Sequence, residues 1–372
     1  MKKENKANVI AFYLPQYHPT PENDEWFGKG FTEWRSVGNA KPLFAGHYQP
    51  RIPADLGYYD LRLSEVRKEQ AELAKEAGIA AFCYYHYWFG DGKQMLQMPL
   101  NEVIRLGEPD FPFCICWANH SWYKKTWDSK KSLLNHQPLM AQKYLGKEDI
   151  ERHFYTLLSA FSDKRYYKHK GKLLFVLYRV REMPNLEQFM EIWQELALKN
   201  GLPGFSFVSY ADDFYEINSH QHTKCDATAL FLKSEIESIG KNIKVRKISR
   251  FIKTFISKKI SKPLNVFEFK NVYHKLVNPI FCEERIYPVI MPNWDNTARR
   301  QAGALILNNC TPELFKKHVK ETLTLIKNKK QEDRLVFIKS WNEWSEGNYM
   351  EPDLKYGKGY INALREALEE DY

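Results

Sequence analysis

The chain has 372 residues, 44% hydrophobic and 15% aromatic, enough for a well-filled core in one large barrel or in two domains. Its net charge is +9, and nine basic residues with no acidic one fall in 241–262, so the remainder is near neutral. That concentration argues against nucleic acid as a partner, since a nucleic-acid enzyme spreads basic residues around its site. No run of 18 apolar residues exists to span a membrane.

In chain order, the basic start leads into a short apolar run that ends at Pro15 without a small-residue cleavage site, so no signal peptide is expected. That run, 8–14, is the first of eight predicted strands. The others are 79–87, 111–118, 172–178, 204–210, 226–231, 286–291 and 334–340. Several are almost continuously apolar, as strands buried on both faces should be. Helices are predicted between them. In 61–77, Leu63, Val66, Gln70, Leu73 and Ala77 form one stripe and Gly78 stops it. The segment 148–161 opens with acidic residues, 186–200 ends before Gly201, 312–329 has Pro312 at its start, and 359–369 closes the chain.

Eight strands alternating with helices predict a (β/α)8 TIM barrel with long βα loops, read as a single catalytic domain over 1–372. The alternative is a doubly wound open sheet. It is weakened because Pro15-Gln16-Tyr17-His18-Pro19, not a Gly-rich phosphate loop, follows the first strand. Two loops are long: 15–60, rich in aromatics, and 233–285, a basic insertion after strand six. The six cysteines form no C-x-x-C pair and read as reduced packing residues of a cytoplasmic protein.

The chemistry concentrates after strand eight, in Trp341-Asn342-Glu343-Trp344-Ser345-Glu346-Gly347. Two carboxylates on one strand-end loop can supply the acid and the base or nucleophile that glycosidic bonds require. The alternative is a solvated acidic loop turned by Gly347, but an exposed loop has little use for two indoles. At the end of strand two, alternation puts Tyr84, His86 and Trp88 on one face and Tyr85 and Tyr87 on the other, one set lining the rim. His18, Glu33 and Trp34 on the first long loop border the cleft or brace that loop. Asn293 and Asp295 follow strand seven and suit sugar-hydroxyl contacts.

The stretch Ser340 to Pro352 resembles the signature of the WbsX-type polysaccharide-biosynthesis family, itself similar to glycoside hydrolase family 99 endo-α-mannosidases. Further matching stretches are Phe12 to Pro19, Gly30 to Trp34, Gly46 to Pro50, Cys83 to Phe89, Cys116 to Asn119 and Asn293 to Thr297, so the resemblance covers almost the whole chain. It implies a retaining mechanism in which Glu343 acts as base on the sugar 2-hydroxyl and Glu346 protonates the leaving group. The substrate-binding candidates are Tyr13, His18, Glu33, Trp34, Tyr85, His86, Trp88, Trp117, Asn119, His120, Trp122, Asn293, Asp295, Trp341, Asn342 and Trp344. One departure is His120, where the family pattern has a glutamate after Trp-Ala-Asn.

No metal or cofactor is expected. His220-Gln221-His222 lacks a nearby third ligand and reads as a solvated loop. No Asp-x-Asp or P-loop pattern offers a nucleotide grip. In the basic segment, Ile248, Phe251, Ile252, Phe255 and Ile256 follow helical spacing between lysines and arginines. That is the form of an interfacial helix drawn to anionic lipid at the inner membrane surface, or of a helix packed on the barrel. The sequence thus predicts an enzyme acting on an oligo- or polysaccharide, lipid-linked or free, in the assembly of lipopolysaccharide or capsule. It is a retaining endo-glycosidase or transglycosylase, with α-mannosides as the suggested substrates. The alternatives are a glycosyltransferase and a non-catalytic saccharide-binding protein.

Overall fold

The computed structural model describes residues 6–123, 138–237 and 262–370, with isolated positions at 252, 255, 256 and 259. Eight parallel strands follow one another in chain order: β1 (Asn8–Tyr13), β2 (Ala81–Trp88), β3 (Phe113–Trp117), β4 (Lys172–Leu177), β5 (Phe205–Ala211), β6 (Ala227–Leu230), β7 (Ile286–Ile290) and β8 (Leu335–Ile338). Each pairs with the next, and β1 pairs with both β2 and β8, so the sheet closes into a (β/α)8 barrel.

The continuous apolar character of the strands has a two-sided cause. Inside the barrel, the Phe12 ring lies 5.5 Å from Tyr85, 5.7 Å from Tyr210 and 5.3 Å from Phe337. Outside, Phe175 and Phe205 pack 4.8 and 5.3 Å from Trp193 on the helix Leu186–Lys199. Neither face of a strand meets water, so neither carries the polar alternation of a half-exposed strand.

The outer helices include Ser64–Glu76, Lys147–Phe161, Leu186–Lys199, Pro312–Ile326 and Gly359–Glu369, each close to its predicted span. Leu63, placed on a buried stripe by its spacing, is instead the cap residue and is exposed. The helix Met98–Leu106 was not predicted. It is short, and its signals are punctuation: Pro99 in the first turn and Gly107 beyond the end at φ 67°.

The two long loops carry structure of their own. Residues 15–60 contain the helices Pro21–Phe27 and Glu33–Gly38. Residues 233–285 contain the helix Lys233–Glu237 and the strand Asn265–Glu268, which pairs in parallel with Leu305–Asn308 after β7. Of the basic stretch 241–262 only positions 252, 255, 256, 259 and 262 are described; Ile252, Phe255 and Ile256 of the expected amphipathic helix are helical and exposed, and its other positions lie outside the described residues. His220 and His222 do not form a solvated loop. They lie on the helix His220–Lys224, where His222 is buried with Nδ1 2.9 Å from Ser209 Oγ. Cys282 is exposed and the other five cysteines are buried, all unbridged. Among the described residues, no helix is long and apolar enough to cross a membrane.

Candidate active site

The site is built where the loops after β1, β7 and β8 meet at the C-terminal face of the barrel. Asn342 is the fastener. Its buried side chain accepts from Leu14 N at 2.8 Å and donates to Leu14 O at 3.0 Å, tying the loop after β8 to the end of β1. The Tyr17 hydroxyl donates to Asn342 O and accepts from Trp344 N at 3.1 Å. Asn342–Glu343 then pairs antiparallel with Asn348–Tyr349, so the 3-10 turn Trp344–Glu346 is the tip of a tight hairpin. Gly347 completes it at φ 55°, and a Cβ there would lie 2.7 Å from the Asp295 carbonyl oxygen. Asp295 N donates to Glu346 O at 2.8 Å, which fixes the hairpin tip to the loop after β7. Only glycine allows both the turn and that approach.

This framework gathers three carboxylates around one guanidinium. Arg299, on the helix Thr297–Arg300, donates from Nη1 to Glu343 Oε1 at 3.1 Å and to Glu346 Oε1 at 2.9 Å. Its Nη2 lies 3.1 Å from Glu33 Oε1. The Ser345 hydroxyl donates to the other Glu33 oxygen. The side chains of Glu343, Glu346 and Arg299 keep 11%, 18% and 21% of their surface exposed, so the cluster opens to solvent. Burial pushes the Glu343 carboxyl up, the Glu346 charge pushes it further, and Arg299 and Lys339 only partly oppose them, leaving it raised. A base raised toward neutrality is better matched to taking a proton from a hydroxyl.

Beneath the hairpin lies a second carboxylate with different company. Glu351 is buried and accepts from Trp344 Nε1 at 2.6 Å, Tyr59 OH at 2.9 Å and Gln70 Nε2 at 2.6 Å. Burial dominates those bonds and pushes its carboxyl up to about 7.

The predicted site residues divide. Glu33, Glu343 and Glu346 come together, and Tyr85 faces the same space, its hydroxyl influenced by the Glu343 charge. His120 lies beside the mouth, 5.8 Å from the Tyr178 ring, and Trp122 is half-buried against Tyr87 and Trp26. His86 and Trp88 face the other way, because alternation along β2 sends them into the helix layer. His86 Nε2 lies 2.9 Å from His153 Nε2, and Trp88 stacks on His153 at 4.7 Å. Burial pushes His86 down to about 3. Trp117 packs on His153 and Phe189 in the same layer, and Tyr13 points outward to donate to Gln70 Oε1 at 2.6 Å.

Trp341 and Trp344 are buried, so the two indoles are not stacking surfaces at the rim. Trp341 packs on Phe82, and Trp344 stacks on Tyr349 at 3.8 Å. Trp34 covers Trp344 and donates to Tyr59 O at 2.7 Å. His18 is buried, which pushes it down to about 4. Asn119 accepts from Arg179 N at 2.7 Å and donates to Tyr144 OH at 2.9 Å, a brace between the ends of β3 and β4. Asn293 accepts from Tyr349 N at 3.1 Å. Asp295 is buried, with His47 Nε2 at 2.8 Å, Gln49 Nε2 at 2.7 Å and Thr297 Oγ1 at 2.6 Å. Burial pushes its carboxyl up, but the His47 bond and the Arg51 charge outweigh that and hold it low. Both residues brace the hairpin rather than face the cleft.

Arg299, Tyr17, Tyr87, Ser345 and Glu351 were not among the predicted site residues. Charge logic offered one signal: gathered carboxylates need a cation, and Arg299 follows directly on the Asn293 to Thr297 stretch. Among the described residues, no group of three or more His, Cys, Asp and Glu side chains has metal-holding geometry.

The comparisons with known proteins agree with this architecture. A family model described as "Glycosyltransferase WbsX" matches residues 9–364. WxcX proteins of two Xanthomonas campestris pv. campestris strains, B100 and ATCC 33913, are 35% and 34% identical over 364 residues. Each match covers 97% of this chain and 50% of the relative, so the chain spans about half the length of these curated relatives. Among solved structures, a "Glycoside hydrolase-like protein" superposes with a TM-score of 0.58 at 14% identity, covering 100% of this chain and 96% of that one. The GH99 endo-alpha-mannosidase from Bacteroides thetaiotaomicron superposes with a TM-score of 0.54 at 13% identity, covering 97% and 95%. At such identities the two structures speak for the fold alone. The family match runs nearly end to end, and on it the chain belongs to the WbsX glycosyltransferase family.

Proposed function

We propose that the chain breaks or transfers glycosidic bonds of an oligo- or polysaccharide, with Glu343 and Glu346 as its acid–base pair. One observation carries the reading: both carboxylates reach solvent at the barrel's C-terminal face while sharing Arg299 Nη1, at 3.1 and 2.9 Å. The two bonded oxygens are therefore within about 6 Å of each other, below the roughly 6.5–9.5 Å that leaves room for the water of an inverting pair. The spacing supports retention.

In the proposed sequence, Glu343 takes the proton of the sugar 2-hydroxyl, and that oxygen attacks the anomeric carbon. Glu346 gives its proton to the departing glycosidic oxygen as the C1–O bond breaks. The product is a 1,2-anhydro sugar, with Glu343 now protonated and Glu346 ionised. Glu346 then takes a proton from water or an acceptor hydroxyl, which opens the strained ring at C1, and Glu343 returns its proton to O2. Two inversions give net retention, and the second hydroxyl decides between hydrolysis and transfer. The attack requires O2 trans to the leaving group, as in α-mannosides, which makes these the first substrates to test. A lipid-linked substrate would be presented by a membrane, and the positive 241–262 segment suits one; excising that segment and measuring binding to anionic vesicles tests this.

The family's description favours a second reading, a glycosyltransferase, which differs in its donor. Incubation with mannans and, in parallel, with sugar nucleotides separates them by mass spectrometry of the products. Shortened or rearranged glycans support the proposed chemistry. Sugar transfer from a nucleotide alone contradicts it, as does undiminished product formation by Glu346→Gln.

A further inference from the structure

Lys339 follows β8 directly and shares the inward face with Phe337. Only 4% of it is exposed. Its ammonium lies 4.8 Å from the Tyr210 ring centroid, 5.5 Å from Phe231 and 5.7 Å from Tyr178. Tyr178 and Tyr210 stack on each other at 4.6 Å, so the cation sits among aromatic faces at the floor of the barrel mouth. Among the described residues, no hydrogen bond or ion pair ties its ammonium to an acceptor. Glu343 is near enough to feel its charge, but the Glu343 oxygen is bonded to Arg299.

Such a lysine is costly to bury. Taking an ammonium largely out of water is unfavourable, and cation–π contacts offset that only in part. A fold that needed only packing here would gain from an apolar side chain. The same tyrosines also line a cleft of about 310 Å3, together with Arg179 and Arg181. These two arginines are engaged, Arg179 with Asp212 at 3.4 Å and Arg181 with Glu216 at 3.2 Å. Lys339 therefore stands out as a positive charge at the mouth that shares a field with Glu343 but makes no ion pair among the described residues.

We infer that Lys339 is a specificity residue that binds an anionic group on the glycan, a carboxylate or a phosphate, while Tyr178 and Tyr210 stack the sugar that bears it. This deepens the proposed carbohydrate function and rests on it. The anion would lie in the same mouth as Glu343, so the lysine would select a charged residue beside the bond being broken. Tyrosine faces accept the C–H face of a pyranose, and the ammonium provides a point charge suited to either anion.

The test is ligand titration by NMR or calorimetry at low ionic strength, using methyl α-mannoside, methyl α-mannosiduronate and mannose 6-phosphate. The wild type is compared with Lys339→Met, Lys339→Gln and Lys339→Arg. At least one anionic sugar should bind about tenfold more tightly than the neutral one. Whichever of the two does so identifies the anion. The preference should vanish in the Met and Gln variants with neutral binding kept, and should survive in the Arg variant. The melting temperature of Lys339→Met should not fall, because a buried charge is being replaced by an apolar chain. Equal binding of neutral and anionic sugars by the wild type overturns the assignment, and so does a preference that persists in both Met and Gln variants. Failure of all three sugars to bind overturns the carbohydrate reading as well, which neutral binding without anionic preference does not. If Met does not fold, Gln provides the same comparison.

Discussion

The segment from Trp341 to Asp353 has two halves that treat carboxylates in opposite ways. At its tip, Glu343 and Glu346 are mostly covered but keep a narrow opening to solvent, and they share the Arg299 cation with Glu33. At its base, eight residues beyond Glu343, Glu351 is sealed in and held by an indole, a phenol and an amide, all neutral. The tip keeps charge available and controls it with a counter-charge. The base uses a carboxylate as a multiple acceptor, at the expense of pushing it up to about 7. A glutamate in this signature is therefore not catalytic by sequence alone. What distinguishes the two halves is whether a cation and a route to solvent accompany the carboxylate.

The largest expected effect follows from removing the cation at the tip. Arg299→Met leaves three carboxylates around an apolar chain and should cost about 3–5 kcal/mol of stability, read from denaturant unfolding. Turnover should fall at least about a hundredfold. If stability fell while kcat held, the cation would belong with the scaffold instead. Trp344→Ala attacks the base, by removing a buried indole stacked on Tyr349 and one of the Glu351 donors. The expected cost is about 3–5 kcal/mol, and the fall in melting temperature should exceed that of Trp344→Phe, which keeps most of the stacking.

The two halves also respond to pH in ways that can be separated. The Glu351 pKa is raised from 4.5 to about 7, so folding favours its neutral form. Its contribution is whole below about pH 4.5 and is lost as pH rises through about 7, about 3 kcal/mol in all. Unfolding measured at pH 5 and pH 8 should show this loss, and Glu351→Gln should flatten the slope between them. An unchanged slope would mean that Glu351 is already ionised at pH 5. At the tip, Glu343 is also raised, so the acid limb of the pH–rate profile should lie above the ordinary glutamate value. Arg299→Lys keeps a cation but loses the shared fork, and that limb should move by a smaller amount than in Arg299→Gln. Smallest of all, Glu33→Gln removes one carboxylate from the cluster, lowering the repulsion on Glu343 and moving the limb toward acid.

The barrel was legible because its strands are apolar on both faces, and each predicted run coincides with an observed strand to within a residue or two. The candidate site was legible where the sequence is local: Glu343 and Glu346 are three residues apart on one loop. Arg299 was not, because it reaches the pair across 44 residues through a separate loop. Alternation along β2 correctly separated Tyr85 and Tyr87 from His86 and Trp88. It could not say which set faces inward, since both faces are apolar and buried. The two tryptophans of the motif misled for a related reason: an indole in a loop can line a cleft or hold the loop together, and Trp344 does the second by donating to Glu351. Lys339 carried no signal within an apolar strand end until aromatic residues at the ends of three other strands closed around it.

The most direct measurement is the turnover and product stereochemistry of wild type, Glu343→Gln and Glu346→Gln on one cleavable glycan, followed by NMR, with melting temperatures recorded alongside. Retained anomeric configuration in the first-formed wild-type product, and loss of turnover in both variants at unchanged melting temperature, is the predicted result. An inverted product, or either variant turning over at the wild-type rate, would contradict the role assigned to the pair.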